Sequence, residues 1–80
     1  MNRLLERIII DPQLCGGRPC IRGTRIWVSL ILDLLASGMS QTDIIVEYPV
    51  LNRDDILAAI AYGAEAAREQ LIPVRVEPAV

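Results

Sequence analysis

Histidine, lysine and phenylalanine are absent from this 80-residue chain, and cysteine occurs only as Cys15 and Cys20. Without an imidazole, no Cys/His or Ser/His nucleophile pair exists within one chain, and two thiols are too few soft ligands for a zinc site. No metal, no cofactor and no enzymatic activity are expected. The lack of lysine makes every cation a planar guanidinium, suited to forked pairing with carboxylate or phosphate. Long apolar runs are missing too. Asp33, Asp43, Glu47, Asp54, Asp55 and Glu65 keep every uncharged stretch below ten residues, whereas a membrane helix takes about 20. The N-terminal MNRLLERIII mixes Arg3, Glu6 and Arg7 into its apolar residues and offers no small-residue cleavage site. It does not read as a secretory signal, and a cytoplasmic location is expected.

What the chain has in surplus is apolar side chains. Residues of the AVILMFWYC set make up 52% of it, and exchanging Tyr for Gly in that set raises the share to roughly 56%, against a usual ~45–50%. A domain of this size hides only about 60–65% of the surface its unfolded chain exposes, so part of the surplus is expected to meet a partner, as a homodimer or in an obligate complex. The formal net charge of −2 conceals a polarity. Residues 1–27 carry five Arg against two acids, and residues 28–80 carry three Arg against eight.

Residues 8–10 form a β-branched run closed by Asp11-Pro12, and residues 19–21, after the Gly16-Gly17 reversal, supply the second arm of an expected β-hairpin. Arg22-Gly23-Thr24 reads as a further turn into a third extended piece, 25–28. The segment VSLILDLLAS, 28–37, spreads apolar residues over too many faces for a surface helix. It is expected at the centre of the fold or at an interface, with Gly38 ending it in a left-handed cap. Ser40 has N-cap chemistry, and Ile44, Ile45 and Tyr48 carry helical spacing up to Pro49, predicting a second helix over about 41–48. Asn52 caps a third, over about 53–70, whose first turn sets Asp54 and Asp55 at the positive end of the helix dipole. Within it Ile56, Ile60, Gly63, Ala64, Ala67 and Leu71 recur at three- and four-residue steps, the stripe expected to face inward. Gly63 is expected where a neighbouring backbone or ring comes close. Residues 72–78 alternate apolar and charged side chains between two prolines and read as an extended tail. The expected organisation is one mainly α domain: a basic N-terminal β unit (1–27), a three-helix, homeodomain-like helix-turn-helix core (28–71) and an extended C-terminal tail (72–80).

Such a core places its third helix where a DNA-reading helix would sit. Charge argues against the simple version, because residues 39–71 set Arg53 and Arg68 against six acids. Only Asn52 and Arg53 at that helix start have base-reading chemistry, and Arg18, Arg22 and Arg25, around a glycine turn, are the better candidates for phosphate contacts. Equally, these arginines could pair with the acids of the helical half. Cys15 and Cys20 flank the Gly16-Gly17 turn. A disulfide there is geometrically conceivable, but a reducing cytoplasm makes a buried, apolar Cys20 the default. Capping explains Asp54 and Asp55 better than a divalent cation shared with Asp11 would, since adjacent helical carboxylates point apart.

In order along the chain, DPQLCGGRPCIRGTRIWV, LLASGMSQTDIIVEYPVL and DILAAIAYGA, spanning about 8–64, resemble the bacterial domain-of-unknown-function family 433 (DUF433). Its signature runs Asp-Pro, Gly-x-Pro-x-Ile, Gly-Thr-Arg-Ile, Gly-x-Ser, Tyr-Pro-x-Leu and Asp-Ile-x-Ala-Ala. Here these motifs begin at Asp11, Gly17, Gly23, Gly38, Tyr48 and Asp55, and Gly63 stands where the family usually has Ala. The resemblance implies a helix-turn-helix fold with a small N-terminal β unit. It also implies the antitoxin half of a type II toxin–antitoxin pair whose partner looks like a PIN-type ribonuclease. On that reading the chain binds and neutralises the toxin through helix three and Leu71, Ile72, Val74 and Val76, with Arg75 or Glu77 as polar anchors, and represses its own operon by DNA binding. The alternatives are a dimeric DNA-binding transcriptional regulator without a toxin partner, and a small structural adaptor subunit.

Overall fold

Two glycine reversals build the N-terminal unit. In the computed structural model, which describes residues 3–69 and 74–75, strand β1 (Ile8–Ile9) pairs antiparallel with β2 (Cys20–Ile21), Ile8 opposite Ile21 and Ile9 opposite Cys20. Between them the chain turns through Cys15, Gly16 and Gly17, all left-handed, at φ 53, 64 and 76°. The Gly17 N–H donates to the Leu14 carbonyl at 3.0 Å, closing the bend. The second reversal follows at once. The Thr24 hydroxyl donates to the Ile21 carbonyl (2.8 Å) and accepts the Ile26 N–H (3.0 Å), so the third extended piece returns to β2 through a single bridge between Cys20 and Trp27. A 3-10 turn, Arg3–Arg7, precedes β1 and packs on the third helix. The strand-like N-terminal pattern does not indicate it.

Caps mark the end of the first helix and the starts of the second and third. Helix α1 (Val28–Ala36) stops at Gly38, whose φ of 102° lets its N–H reach the Leu35 carbonyl (3.0 Å) while the Met39 N–H reaches that of Leu34 (3.1 Å). This double closure satisfies carbonyls that a helix end otherwise orphans. Helix α2 (Gln41–Glu47) starts at Ser40, whose hydroxyl accepts the Asp43 N–H at 3.0 Å. Helix α3 (Arg53–Glu69) is the longest and packs against the N-terminal 3-10 turn, α1 and α2.

Ile21, Val28, Ile31, Ile44, Leu51, Ile56 and Ala59 form the buried core, drawn from β2, all three helices and the turn before α3. Each large side chain so buried contributes about 1.5–3 kcal/mol. Around α1 only Val28 and Ile31 are fully buried, while Leu30, Leu32, Leu34 and Leu35 stay half-buried, so neighbours cover it on more than one side. The expected inward stripe of α3 is off by about one position. Asp55, Ile56, Ala58 and Ala59 are buried, whereas Ile60, Ala64 and Ala67 are exposed, and Leu71 lies outside the described residues. The 3-10 turn causes the shift, because α3 must cover it as well as α1, and alanine at 58 and 59 permits that close approach. Gly63 also differs from expectation. Neither backbone nor ring approaches it, but the aliphatic Leu32, whose Cδ1 would lie 3.2 Å from an added Cβ. Of the tail, Val74 and Arg75 are exposed and irregular, and the rest of 72–80 lies outside the described residues.

Candidate functional site

At the start of α3, Asn52 and Asp55 cap each other. The Asn52 Oδ1 accepts the Asp55 N–H at 2.9 Å, and the Asp55 Oδ2 accepts the Asn52 N–H at 3.0 Å. This reciprocal box satisfies two donors and engages the Asn52 side-chain oxygen as a cap. The other oxygen of buried Asp55 accepts from Arg7 Nη1 at 3.1 Å, and Arg7 Nη2 reaches Asp54 at 3.5 Å. Arg7 thus ties the 3-10 turn to the third helix. Around this junction lies an open cleft of about 520 Å³ lined by Arg3, Leu4, Glu6, Arg7, Arg22, Asp54 and Asp55. Its three guanidiniums face three carboxylates, so the cleft is electrically balanced and is no anion trap. Among the described residues, no group of three potential metal ligands occurs.

The three arginines named as phosphate contacts sit on the two glycine-turn loops, all exposed. Arg18 lays its guanidinium over the Trp27 ring, 4.5 Å from the centroid. Arg22 donates from Nε to the Glu6 carbonyl at 3.0 Å. Among the described residues none of Arg18, Arg22 and Arg25 forms an ion pair, whereas Arg7 meets Asp54 and Asp55. Arg22 lines the same cleft as Asp54 and Asp55, but its Nε is held by the Glu6 carbonyl, while residue 7 ends the 3-10 turn that packs on α3. Arg53 is exposed beside the cap. Of the residues expected to contact a toxin, Val74 and Arg75 are exposed, and Leu71, Ile72 and Val76 lie outside the described residues.

Two features of this surface escaped sequence reasoning. The first is the Arg7 tie, whose only sequence signal is the Asn-x-x-Asp spacing that makes Asp55 half of a capping box. The second is an apolar groove of about 310 Å³ between α1 and α3, lined by Arg18, Pro19, Val28, Ser29, Leu32, Tyr62, Gly63 and Ala66. No spacing rule brings Pro19 of the β unit to Ala66 of α3. Burial pushes the Cys20 thiol up from its ordinary value, helped by a hydrogen bond and charge interaction with Cys15 and by the charge of Asp11. Both cysteines are free.

A two-strand ribbon and three helices joined by short turns define a small domain of helix-turn-helix order, and no described helix is long and apolar enough to cross a membrane. The chain belongs to the DUF433 family: the model of that family, described as a protein of unknown function, matches residues 8–63. The fold is similar to that of a DUF433 member protein from Anabaena variabilis ATCC 29413, solved as a crystal structure at 2.00 Å resolution, with a TM-score of 0.73 and 32% identity. The match covers 79% of this chain and 62% of that one, so the present chain spans less than two thirds of its relative's length. Among curated proteins, none matches.

Proposed function

We propose that the chain is a non-enzymatic, cytoplasmic antitoxin that binds and neutralises a PIN-like ribonuclease through the end of α3 and the residues that follow, Leu71, Ile72, Val74, Arg75 and Val76. The observation that carries this reading is apolar bulk left in water on an acidic half of the molecule. Val46 is 73% exposed, Val50 66%, Ile60 40% and Val74 72%. Exposed apolar side chains on a carboxylate-rich surface suit a basic protein partner better than a phosphate backbone. The outward face of α3 is mostly apolar at Ile60, Ala64 and Ala67, and of its exposed arginines Arg68 is paired with Glu65, which leaves Arg53 near the cap. Co-expression with the nuclease encoded beside the gene tests the proposal. A tagged chain should retain the nuclease and relieve its toxicity, and deletion of residues 71–80 should abolish both. Val74→Asp should leave the free domain's melting unchanged, since Val74 is exposed, yet weaken binding about 100-fold or more by burying an unpaired charge at the interface. No capture and no effect of the deletion would refute it.

A second reading, DNA binding by a homodimer that represses its own operon or acts as a regulator without a toxin, draws support from one observation. Arg18, Arg22 and Arg25 are exposed and form no ion pair among the described residues. Gel-shift titration on the upstream region should then show steep salt dependence, and Arg22→Ala with Arg25→Ala should lower the slope by about 1 for each phosphate that a guanidinium no longer neutralises. A flat salt response removes this reading.

A further inference from the structure

Two hollows share one ridge on α3. Tyr62 and Ala66 stand between the apolar groove and a smaller depression of about 200 Å³, which Glu65 and Glu69 complete. Helical spacing fixes the order of these residues across the surface. At about 100° per residue, Gly63 turns to one side of the line through Tyr62 and Ala66, and Glu65 and Glu69 turn to the other. Gly63 faces Leu32 of α1, so the groove lies on its side and the carboxylates lie opposite. From α1 outward the surface therefore carries a guanidinium, an apolar groove, the ridge, and two acids.

The charges at the two edges are left over within one chain. Arg18 lines the groove with its guanidinium stacked on Trp27, and no carboxylate shares that lining. Glu65 is paired with Arg68, whereas Glu69 is exposed and forms no ion pair among the described residues.

We propose that this face is the contact between two copies of the chain related by a twofold axis. The ridge of Tyr62 and Ala66 on each copy seats in the groove of the other, and the same rotation carries Glu69 across to the other copy's Arg18. A twofold contact requires a surface complementary to itself, and a pattern running from cation through hollow and ridge to anion meets that requirement. A partner of one charge sign would satisfy one edge and be repelled by the other, which selects a second copy as the occupant. Gly63 and Ala66 add little bulk, so the ridge enters without displacing α1. The dimer needs neither nuclease nor DNA, and it engages Arg18 while leaving Arg22 and Arg25 for phosphate. A face of this size is small for a specific contact, so its Kd is expected in the micromolar range.

Sedimentation equilibrium of the full chain over about 5–500 µM at low salt tests the contact. The parent should approach twice the monomer mass of 8.9 kDa, and emission from Trp27, the one tryptophan, should shift to the blue as the dimer forms. Arg18→Glu and Glu69→Arg, both at exposed positions away from the core, should keep the parent's far-UV circular dichroism and each weaken association about tenfold or more. Combined in one chain, the two substitutions should bring Kd back to within about threefold of the parent, because the pair is restored with its signs exchanged. Ser29→Glu, at an exposed position in the first turn of α1, suits the helix start but sets a carboxylate in the groove against the incoming Glu69, and should abolish the dimer. A parent that stays monomeric throughout the range overturns the proposal. So does a dimer indifferent to Arg18→Glu or to Ser29→Glu, or a combined variant that recovers nothing.

Discussion

Replacing Asp55 by Ala removes, in one step, the acceptor of the Asn52 N–H and the partner of Arg7. The cap term is worth about 1 kcal/mol. A hydrogen bond to a charged group is worth about 1.5–3 kcal/mol when shielded. The Asp55 side chain is 9% exposed but that of Arg7 is 40%, so solvent screening reduces this second term to about 1 kcal/mol. The expected loss is about 2 kcal/mol, or roughly 8–16 °C in Tm for a domain of this size. Asp55→Asn keeps an oxygen for the Asn52 N–H and gives up the charge, so it should cost about half as much. Arg7→Ala should cost about 1 kcal/mol, and the double variant should fall short of additivity by a similar amount, since both substitutions remove the same ion pair. Urea denaturation of the parent and the four variants measures all of this. At about 1 M NaCl the Arg7 share should shrink while the cap share persists. Additivity within about 0.3 kcal/mol, or a loss below about 0.5 kcal/mol for Asp55→Ala, would refute the claim that one buried carboxylate joins the 3-10 turn to α3.

Gly38→Ala should cost about 1 kcal/mol in thermal melts although an added Cβ meets no atom within 4 Å, because the penalty lies in the φ of 102° alone. Gly63→Ala should stabilise by about 0.5 kcal/mol: the gain in helix propensity exceeds the cost of moving the Leu32 methyl, which borders the open groove. A loss there would mean Leu32 is locked in place. Because the folded chain holds the Cys20 thiol protonated where the unfolded chain lets it ionise, the unfolded state binds fewer protons once pH passes the ordinary thiol value of about 8.5. Stability should therefore decline with rising pH above that point, and Cys20→Ala, though less stable at every pH, should show a shallower decline in denaturant midpoint.

Local chemistry determined where α2 and α3 begin and where α1 ends. Ser40 and Asn52 are the caps, Gly38 is the left-handed stop, and α2 and α3 end within a residue of the positions their spacing predicts. These signals were legible because a cap or a positive φ is satisfied within about four residues of chain, whatever the rest of the molecule does. The turn at Gly16-Gly17 and the pairing of its flanking strands were legible for the same reason.

Tertiary packing decided which face of each element is inside and which charges meet. From Ile56 the three- and four-residue steps run as regularly through Ile60, Ala64 and Ala67 as through Ala59, and periodicity cannot rank the two paths on an alanine-rich helix of small hydrophobic contrast. The N-terminal 3-10 turn broke the tie by occupying one of them. Likewise any of five arginines in the basic segment could have met Asp55. Arg7 does so because that turn delivers its guanidinium 48 residues away in sequence, and electrostatic attraction acts on distance in space, which the order of residues does not encode.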